Sequence, residues 1–169
     1  MKYFNFYSNK GMFLETLINK SIKFYILNGM CWFKKQNQIS IISSIDSSRN
    51  VKGKLASKND VDYYGIYKGK FICFEVKQTL NNVFKLNNIK THQWEYLKLI
   101  NDYNGFSFII IGFLSFKKIY CVKYDNLELI KSINIKTIDI SILNKYGILI
   151  DIKLPGILDI LSFLKLYII

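Results

Sequence analysis

The chain has 169 residues, half of them apolar and 16% aromatic, which predicts one domain (residues 1–169) with a substantial core and excludes a disordered protein. Its formal charge of +12 favours a polyanionic partner such as nucleic acid. The abundance of Lys, Asn and Ile beside a single Arg is also typical of AT-rich coding bias, so the charge alone leaves the partner open.

The three cysteines, Cys31, Cys73 and Cys121, are far apart and are accompanied by one histidine, His92. This composition argues against a structural zinc site and a disulfide framework, and it favours a reducing compartment. The N-terminus lacks the apolar stretch of a signal peptide, and the apolar residues 105–116 are too few to cross a bilayer. We therefore expect a soluble, cytoplasmic protein with no membrane partner.

A helix is predicted over residues 11–27, with Asn9 as its N-cap and Gly29 as its stop. Its apolar positions recur at helical spacing, at Leu14, Leu17, Ile18, Ile22, Tyr25 and Ile26. Glu15 lies near this apolar stripe. It is either a functional carboxylate or a solvated acid that interacts favourably with the helix dipole.

A short strand at residues 30–34 precedes a polar segment, residues 36–58, which we call the arm. Isoleucines alternate in its first half, and Arg49, Lys52 and Lys54 follow in its second half. This pattern favours a projecting β-hairpin or a partly ordered arm, and a long segment of this kind inside a small domain is often functional. The alternative is an ordinary surface loop.

The rest of the chain alternates between strands and helices. A turn at residues 67–70 predicts a hairpin whose second strand covers residues 71–77, and a polar loop is expected at 78–86. A helix capped by Asn88 or Thr91 then runs to about residue 101. Further strands are expected at residues 106–113, apolar on both faces and therefore central, and at 119–122, with helices at 125–130, 137–146 and 156–166. Together, these elements predict an α/β domain with a central mixed sheet flanked by helices.

The strand at residues 71–77 ends in Glu75-Val76-Lys77, with Asp62 upstream across the predicted turn. Because side chains alternate along a strand, Glu75 and Lys77 face one side and Val76 the other. Two carboxylates and an ammonium group are what metal-dependent phosphodiester cleavage requires. Asp62 could instead begin a turn, and Glu75 and Lys77 could form a surface ion pair of little energetic consequence.

The chemistry-bearing residues follow the plan of restriction-endonuclease-like nucleases: Glu15 on a helix, then Asp62, Glu75, Lys77, and Gln93 on a helix. Residues 62–79, DYYGIYKGKFICFEVKQT, closely resemble the signature block of RecU-type Holliday junction resolvases. His92-Gln93 follows at nearly the family's distance, and Asn9-Lys10-Gly11 resembles the family's Asn-Arg-Gly. A looser similarity ends the chain at residues 155–159. The resemblance covers most of the chain and is dense only around residues 60–79.

This resemblance implies a restriction-endonuclease-like core and an Mg²⁺-dependent endodeoxyribonuclease, with Mn²⁺ as the alternative ion. Asp62 and Glu75 would bind the ion, and Gln93 would assist directly or through a water molecule. Lys77 would stabilise charge on the phosphate or orient the attacking water. Glu15 would support the ligands from nearby rather than bind the ion itself.

The resemblance also implies how the protein handles its substrate. The expected enzyme is a homodimer that nicks a four-way junction at two symmetric positions during recombination and repair. The arms would form a stalk that enters the junction, with Arg49, Lys52 and Lys54 as DNA contacts. Contact with the RecA recombinase is a further implication of the resemblance.

The chain departs from the family pattern at three positions. Asp60 stands where the family usually has a hydroxyl residue, and its extra carboxylate would either join the expected metal ligands or repel the phosphate. Cys73 stands where the family has Asp before Phe-Glu, and Tyr64 where it has Asn after Asp-Tyr. None of these departures removes a predicted catalytic residue. Whether the protein prefers junctions over other DNA stays open from the sequence.

Two other functions remain open from the sequence. The first is a nuclease of the same superfamily that cleaves duplex DNA without a preference for branches. The second is a non-catalytic protein that binds DNA or modulates a recombinase, against which the joint presence of Asp62, Glu75, Lys77 and Gln93 argues. Membrane adhesion is disfavoured because no predicted helix has a one-sided basic face.

Overall fold

A computed structural model describes residues 13–37, 40–45, 51–55 and 60–169, with the backbone alone for 40–45 and 51–55. Its helices are α1 (Phe13–Leu27), α2 (Thr91–Asp102), α3 (Tyr124–Ser132), α4 (Ile140–Tyr146) and α5 (Ile160–Lys165). Its strands are β1 (Trp32–Lys35), β2 (Ser40–Ile45), β3 (Val51–Leu55), β4 (Tyr63–Tyr67), β5 (Lys70–Thr79), β6 (Val83–Lys85), β7 (Phe106–Phe113), β8 (Lys118–Lys123), β9 (Thr137–Asp139), β10 (Ile148–Leu149), β11 (Ile152–Lys153) and β12 (Ile157–Leu158).

Six strands form the central sheet in the order β1-β4-β5-β7-β8-β10. The neighbours β5 and β7 are parallel, whereas the other pairs are antiparallel, so the sheet is mixed as predicted. All eight residues of β7 are buried, because helices cover both faces of the sheet at its centre. The predicted α/β architecture, a central mixed sheet flanked by helices, is confirmed.

The sheet separates two hydrophobic cores. On one face, α1 and α5 pack against alternate residues of β5 such as Phe74, and α1 contributes Leu14, Ile18 and Tyr25 at helical spacing. On the other face, α2, α3 and α4 cover β7 and β8. Glu75 follows Phe74 along β5 and therefore points to this second face.

The hairpin turn between β4 and β5 was predicted correctly. Lys68 and Gly69 both have positive φ, at 48° and 75°, as a two-residue turn between twisted antiparallel strands requires. The prediction for the arm is confirmed in part, since β2 and β3 pair antiparallel in a separate two-stranded sheet. Asn9, the predicted cap of α1, lies outside the described residues.

Several predicted boundaries were wrong. The expected polar loop at 78–86 contains the end of β5 and the whole of β6, which pairs with β9 more than fifty residues later. Because of this pairing, residues 137–139 form strand β9 instead of the first turn of the predicted helix. The helix α4 therefore starts at Ile140, with Asp139 as its N-cap. The last helix likewise starts late, at Ile160, because residues 157–158 form β12. No helix among the described residues has the length and apolar character needed to cross a membrane.

Candidate active site

Two carboxylates meet where β4 and β5 begin to diverge. The last register pair of these strands is Tyr63 with Phe74, and Asp62 and Glu75 lie one step beyond it. The Asp62 backbone N–H donates to Glu75 Oε2 at 3.0 Å, and the Val76 N–H donates to Asp62 Oδ2 at 2.9 Å. Each carboxylate is thus oriented by the backbone of the opposite segment, and both are held at one point.

Two further side chains contact the other oxygen of Glu75. Lys77 Nζ donates to Glu75 Oε1 at 2.6 Å, and Gln93 Nε2 donates to the same atom at 2.7 Å. Lys77 comes from the same strand face and Gln93 from the first turn of α2, which packs over β5. The structure therefore brings together Asp62, Glu75, Lys77 and Gln93.

The orientation of Gln93 follows from its position in α2. Its Oε1 accepts the backbone N–H of Lys90, the residue before the helix, at 3.0 Å. A Gln at the third helical position commonly satisfies this N–H, which has no partner within the helix. With the amide oxygen engaged in this way, the amide nitrogen faces Glu75. The predicted caps Asn88 and Thr91 were wrong, because Lys90 occupies the N-cap position.

Glu75 is a buried acid with only 1% of its surface exposed. Burial, followed by the charge of Asp62, raises the pKa of Glu75 from 4.5 to about 8, against the opposing effect of Lys77. Without another positive charge nearby, burial and Asp62 therefore favour the protonated form of this carboxyl more than in an ordinary glutamate. A bound cation would supply the missing charge and favour the ionised form.

The donor set fits a hard divalent cation. Mg²⁺ is commonly bound through one or two carboxylates, with water molecules and substrate phosphate completing its ligands. Asp62 and Glu75 supply two carboxylates, and Asp62 is partly exposed to solvent. Among the described residues, no group of three or more His, Cys, Asp or Glu side chains is arranged for a metal ion. Because Asp62 and Glu75 offer carboxylate oxygens, the pair fits an ion that prefers oxygen ligands and keeps much of its water.

The family model described as "RecU: Recombination protein U" matches residues 9–166. The chain belongs to the RecU family. It is 38% identical over 152 residues to the Holliday junction resolvase RecU of Ureaplasma parvum, covering 89% of each chain. It is 37% identical over 157 residues to the enzyme of the same name from Mycoplasmopsis pulmonis, covering 93% of this chain and 94% of that one.

A more distant relative in the RecU family, the Holliday junction resolvase RecU of Bacillus thuringiensis, is 35% identical over 120 residues. That alignment covers 68% of this chain and 60% of the relative. Among solved structures, Archaeoglobus fulgidus Hjc, a Holliday junction resolvase from an archaeal hyperthermophile, aligns with a TM-score of 0.48 at 11% identity. The alignment covers 79% of this chain and 94% of that one.

Two acids predicted for the RecU site lie at its margin. Glu15 on α1 forms an ion pair with Lys35 at the end of β1. Burial raises the pKa of Tyr63, as do the charges of Glu15 and Asp62, so the Tyr63 hydroxyl lies within the field of both carboxylates. Asp60 is half-exposed, and its charge is among the causes that raise the pKa of Tyr96, after burial. No described contact joins Asp60 to Glu75.

The DNA contacts predicted for the RecU arm are only partly placed. Arg49 lies outside the described residues. Lys52 and Lys54 lie on β3, where their register partners in β2 are Ser44 and Ile41. Their roles stay predictions, as do the metal-binding and catalytic roles of the clustered residues.

Two features of this RecU chain were missed from its sequence. Lys35 was not recognised as the partner of Glu15, because nothing local indicates that the end of β1 meets α1. The capping role of Gln93 was missed because Lys90 replaces the usual Ser or Thr of a capping box, although a Gln three residues on is half of that signal. Tyr64 and Cys73, two departures from the family pattern, prove to be register partners across β4 and β5.

Proposed function

We propose that this chain is a metal-dependent endonuclease that resolves four-way DNA junctions by symmetric paired nicks during recombination and repair. One observation carries the proposal: a buried carboxylate, Glu75, contacts Asp62, Lys77 and Gln93 at one end of the sheet. Membership of the RecU family supports the branched substrate, because its relatives are named Holliday junction resolvases.

Asp62 and Glu75 would hold the ion, Mg²⁺ or Mn²⁺, and Asp60 stays a predicted ligand. Gln93 would assist through a water molecule, because its amide oxygen accepts the Lys90 N–H and its amide nitrogen faces Glu75. When bound, the ion supplies a Lewis acid that stabilises charge on the phosphate and lowers the pKa of water. Gln93 donates to Glu75 and is itself fixed by the Lys90 N–H, so it keeps the carboxylate in one orientation. Supporting contacts of this kind typically change metal affinity or activity 10- to 100-fold.

Lys77 would carry positive charge at the reacting phosphate. Its ammonium group donates to Glu75 Oε1 at 2.6 Å, and its side chain is one-fifth exposed, which supports access to a ligand. A fixed cation at developing negative charge lowers a barrier by about 3 kcal/mol in comparable sites. Lys77 would also orient the attacking water.

The substrate and the partners extend the proposal beyond one active site. Two matched nicks in a nearly two-fold symmetric junction require two matched sites, which a homodimer provides. Recognition would depend on phosphate charge and branched shape, with the arm residues Arg49, Lys52 and Lys54 contacting DNA. Contact with the RecA recombinase is proposed from the family resemblance.

The test compares cleavage of a synthetic four-way junction and a linear duplex of the same sequence in the presence of Mg²⁺. Wild type should nick the junction at two symmetric positions and leave 5′-phosphates, and should cut the linear duplex far less. Asp62→Asn and Glu75→Gln should each slow nicking by about three orders of magnitude, since several kcal/mol of the barrier depends on the ion.

Asp102→Asn is the matched control, because Asp102 is an exposed acid at the far end of α2 that pairs only with Lys98 among the described residues. If the wild type cleaved both DNAs equally, the function assigned to it would be general duplex cleavage instead of junction resolution. Junction binding without nicking by wild type would support a non-catalytic DNA-binding protein and contradict the proposal.

A further inference from the structure

The sheet face that carries the candidate active site continues into an exposed aromatic surface. Trp32 and Lys34 point out from this face of the edge strand β1, whereas Phe33 between them is buried in the opposite core. Lys34 is the register partner of Tyr64 in β4. Farther along the same face, Phe71 is exposed near the start of β5.

Three of these side chains contact one another, and we call them the aromatic platform: Trp32, Tyr64 and Phe71. Trp32 meets Tyr64 edge-on with ring centroids 6.1 Å apart, and Tyr64 stacks on Phe71 at 6.4 Å and 19°. The helix α2 covers β5 and β7 on this face, but β1 and β4 extend beyond it. Trp32 is consequently 47% exposed. A connected group of apolar side chains that stays exposed to solvent in the folded protein usually marks an interaction site.

The aromatic platform adjoins a basic concavity. An open space of about 450 Å³ lies between two rings of the platform, Tyr64 and Phe71, Tyr96 of α2 and the first residues of the arm, and Lys34 lines it. No described acidic residue pairs with Lys34, whereas the neighbouring Lys35 is bound to Glu15. The surface thus combines aromatic rings with an available positive charge, the combination that binds unpaired nucleotides.

The distance to the active site is short. Tyr64 is two residues from Asp62, and Phe71 is four residues from Glu75, on the same face. At about 3.4 Å per strand residue, these separations are about 7 and 14 Å. Successive phosphates of one stacked DNA strand are also about 3.4 Å apart along the axis, so the platform lies within about four nucleotides of the bound phosphate.

We propose that the aromatic platform binds an unpaired nucleotide of the DNA strand that enters the active site, stacking its base on the exposed ring of Trp32, which Tyr64 contacts edge-on, while Lys34 contacts the adjacent phosphate. The inference deepens the proposed nuclease function and rests on it. Base pairs that flank an open branch lack a stacking neighbour on one side, so a base there is unpaired at a lower cost than a base within intact duplex. The platform therefore supplies a preference for branched DNA that is separate from the arm.

Charge favours DNA over a second copy of the chain as the occupant. The protein carries a formal charge of +12, and a two-fold contact through this surface would bring Lys34 of each copy near its counterpart. A phosphate backbone, by contrast, is attracted to the same lysine.

The test uses Trp32 as its own reporter. The chain has two tryptophans, so Trp94→Phe leaves Trp32 as the single one. This protein is titrated in EDTA, where no strand is cut, with a four-way junction that has four unpaired nucleotides at the branch and with a fully paired linear duplex. We expect the unpaired bases to quench Trp32 fluorescence strongly, and the duplex to quench it little.

Variants then separate stacking from charge. Trp32→Ala should weaken binding of the junction about tenfold, the typical effect of losing one stacked base. Tyr64→Leu removes only the ring that contacts Trp32 edge-on and should weaken binding less. Lys34→Ala should reduce the slope of log affinity against log salt by about one. Phe116→Ala is the matched control, because Phe116 is also 47% exposed but lies in the turn between β7 and β8.

Unchanged Trp32 fluorescence on binding, or wild-type affinity of Trp32→Ala, would overturn the inference. So would the conversion of a dimer into a monomer by Trp32→Ala, measured by light scattering, because a second copy would then cover the platform. Nicking is measured separately in Mg²⁺. Quenching by a junction that the enzyme never nicks would refute the nuclease proposal while leaving nucleotide binding at the platform in place.

Discussion

Glu75 is the residue on which the proposed chemistry depends. It is buried on the inner strand β5, and its two oxygens accept hydrogen bonds from Asp62, Lys77 and Gln93. Burying a charged acid is costly, and these hydrogen bonds offset part of that cost. The part that they do not offset appears as the raised pKa of Glu75, and raised pKa values are typical of acids at functional sites.

The first prediction concerns stability without metal. Because the folded protein holds the Glu75 proton more tightly than the unfolded chain, the free energy of unfolding should fall as the pH rises from 4.5 towards 8. We expect a loss of about 2 to 4 kcal/mol for wild type, measured by urea unfolding in EDTA. The carboxyls with lowered pKa, Asp139 and Asp159, act at more acidic pH and do not contribute in this window.

Glu75→Gln is the decisive comparison for this effect, since its side chain is neutral at every pH and of nearly equal size. Its stability should be almost constant between pH 5 and 8, and at pH 8 it should exceed that of wild type. Parallel curves for the two proteins would show that Glu75 is not the titrating group.

A second prediction concerns Gln93. Gln93→Ala removes both the cap of α2 and the donor to Glu75 Oε1, so the Mg²⁺ concentration for half-maximal nicking should rise at least about tenfold. The lost cap should also cost about 1 kcal/mol of stability. Thr91→Ala, an exposed neighbour in the same helical turn, should change neither value. An unchanged metal requirement in Gln93→Ala would show that this amide only caps the helix.

At the scale of elements, the pairing of β1 with β4 supports both the site and the base of the arm. Gly65 is the register partner of Phe33, and a Cβ there would overlap the Trp32 carbonyl oxygen and lie 2.7 Å from Phe33 Cα. Gly65→Ala should therefore lower the free energy of unfolding by about 3 kcal/mol, because the atoms in the way are backbone.

Gly69→Asn is the control for this prediction. Gly69 has φ of 75° in the β4–β5 turn with no neighbouring atom near its Cβ position, and Asn tolerates this conformation. Thermal or urea unfolding should find it close to wild type. Equal stability of Gly65→Ala would mean that β1 is not held closely against β4.

The arm gives a prediction about salt. If Lys52 and Lys54 contact phosphates, the double alanine variant should flatten the slope of log affinity against log salt by about two. The matched control replaces Lys23 and Lys165, exposed lysines on α1 and α5, which pack on the opposite face from Glu75. An unchanged slope in the arm variant, measured by fluorescence anisotropy with a four-way junction, would remove the arm from the DNA interface.

Local patterns in the sequence predicted some elements and not others. β5 and β7 were predicted correctly because their patterns can be recognised without knowing which strands lie beside them. The side chains of β5 alternate in character, and β7 is apolar on both faces. β6 and β9 were missed because each is three residues long and gains its structure from the other, far away in the chain. Similarly, the spacing of Asp62 and Glu75 indicated the site, whereas the exposure of Trp32 depends on how far α2 extends over the sheet.

For the whole molecule, the central expectation is coordinated cleavage by two subunits. A plasmid that extrudes a cruciform would be linearised when both nicks occur within the lifetime of one complex, and would accumulate as nicked circles when they occur independently. A symmetric homodimer predicts mainly linear product in Mg²⁺. Nicked circles as the lasting product would indicate that each site acts alone.

The most direct measurement of the central claim, that Asp62 and Glu75 jointly hold one ion, is a calorimetric titration with Mn²⁺ at pH 7 in two buffers of different ionisation enthalpy. Because the metal-free pair retains a proton at this pH, binding should release about one proton per ion. Glu75→Gln should abolish that release and weaken binding strongly. Tight binding by wild type with no proton release, or equal binding by Glu75→Gln, would contradict the account.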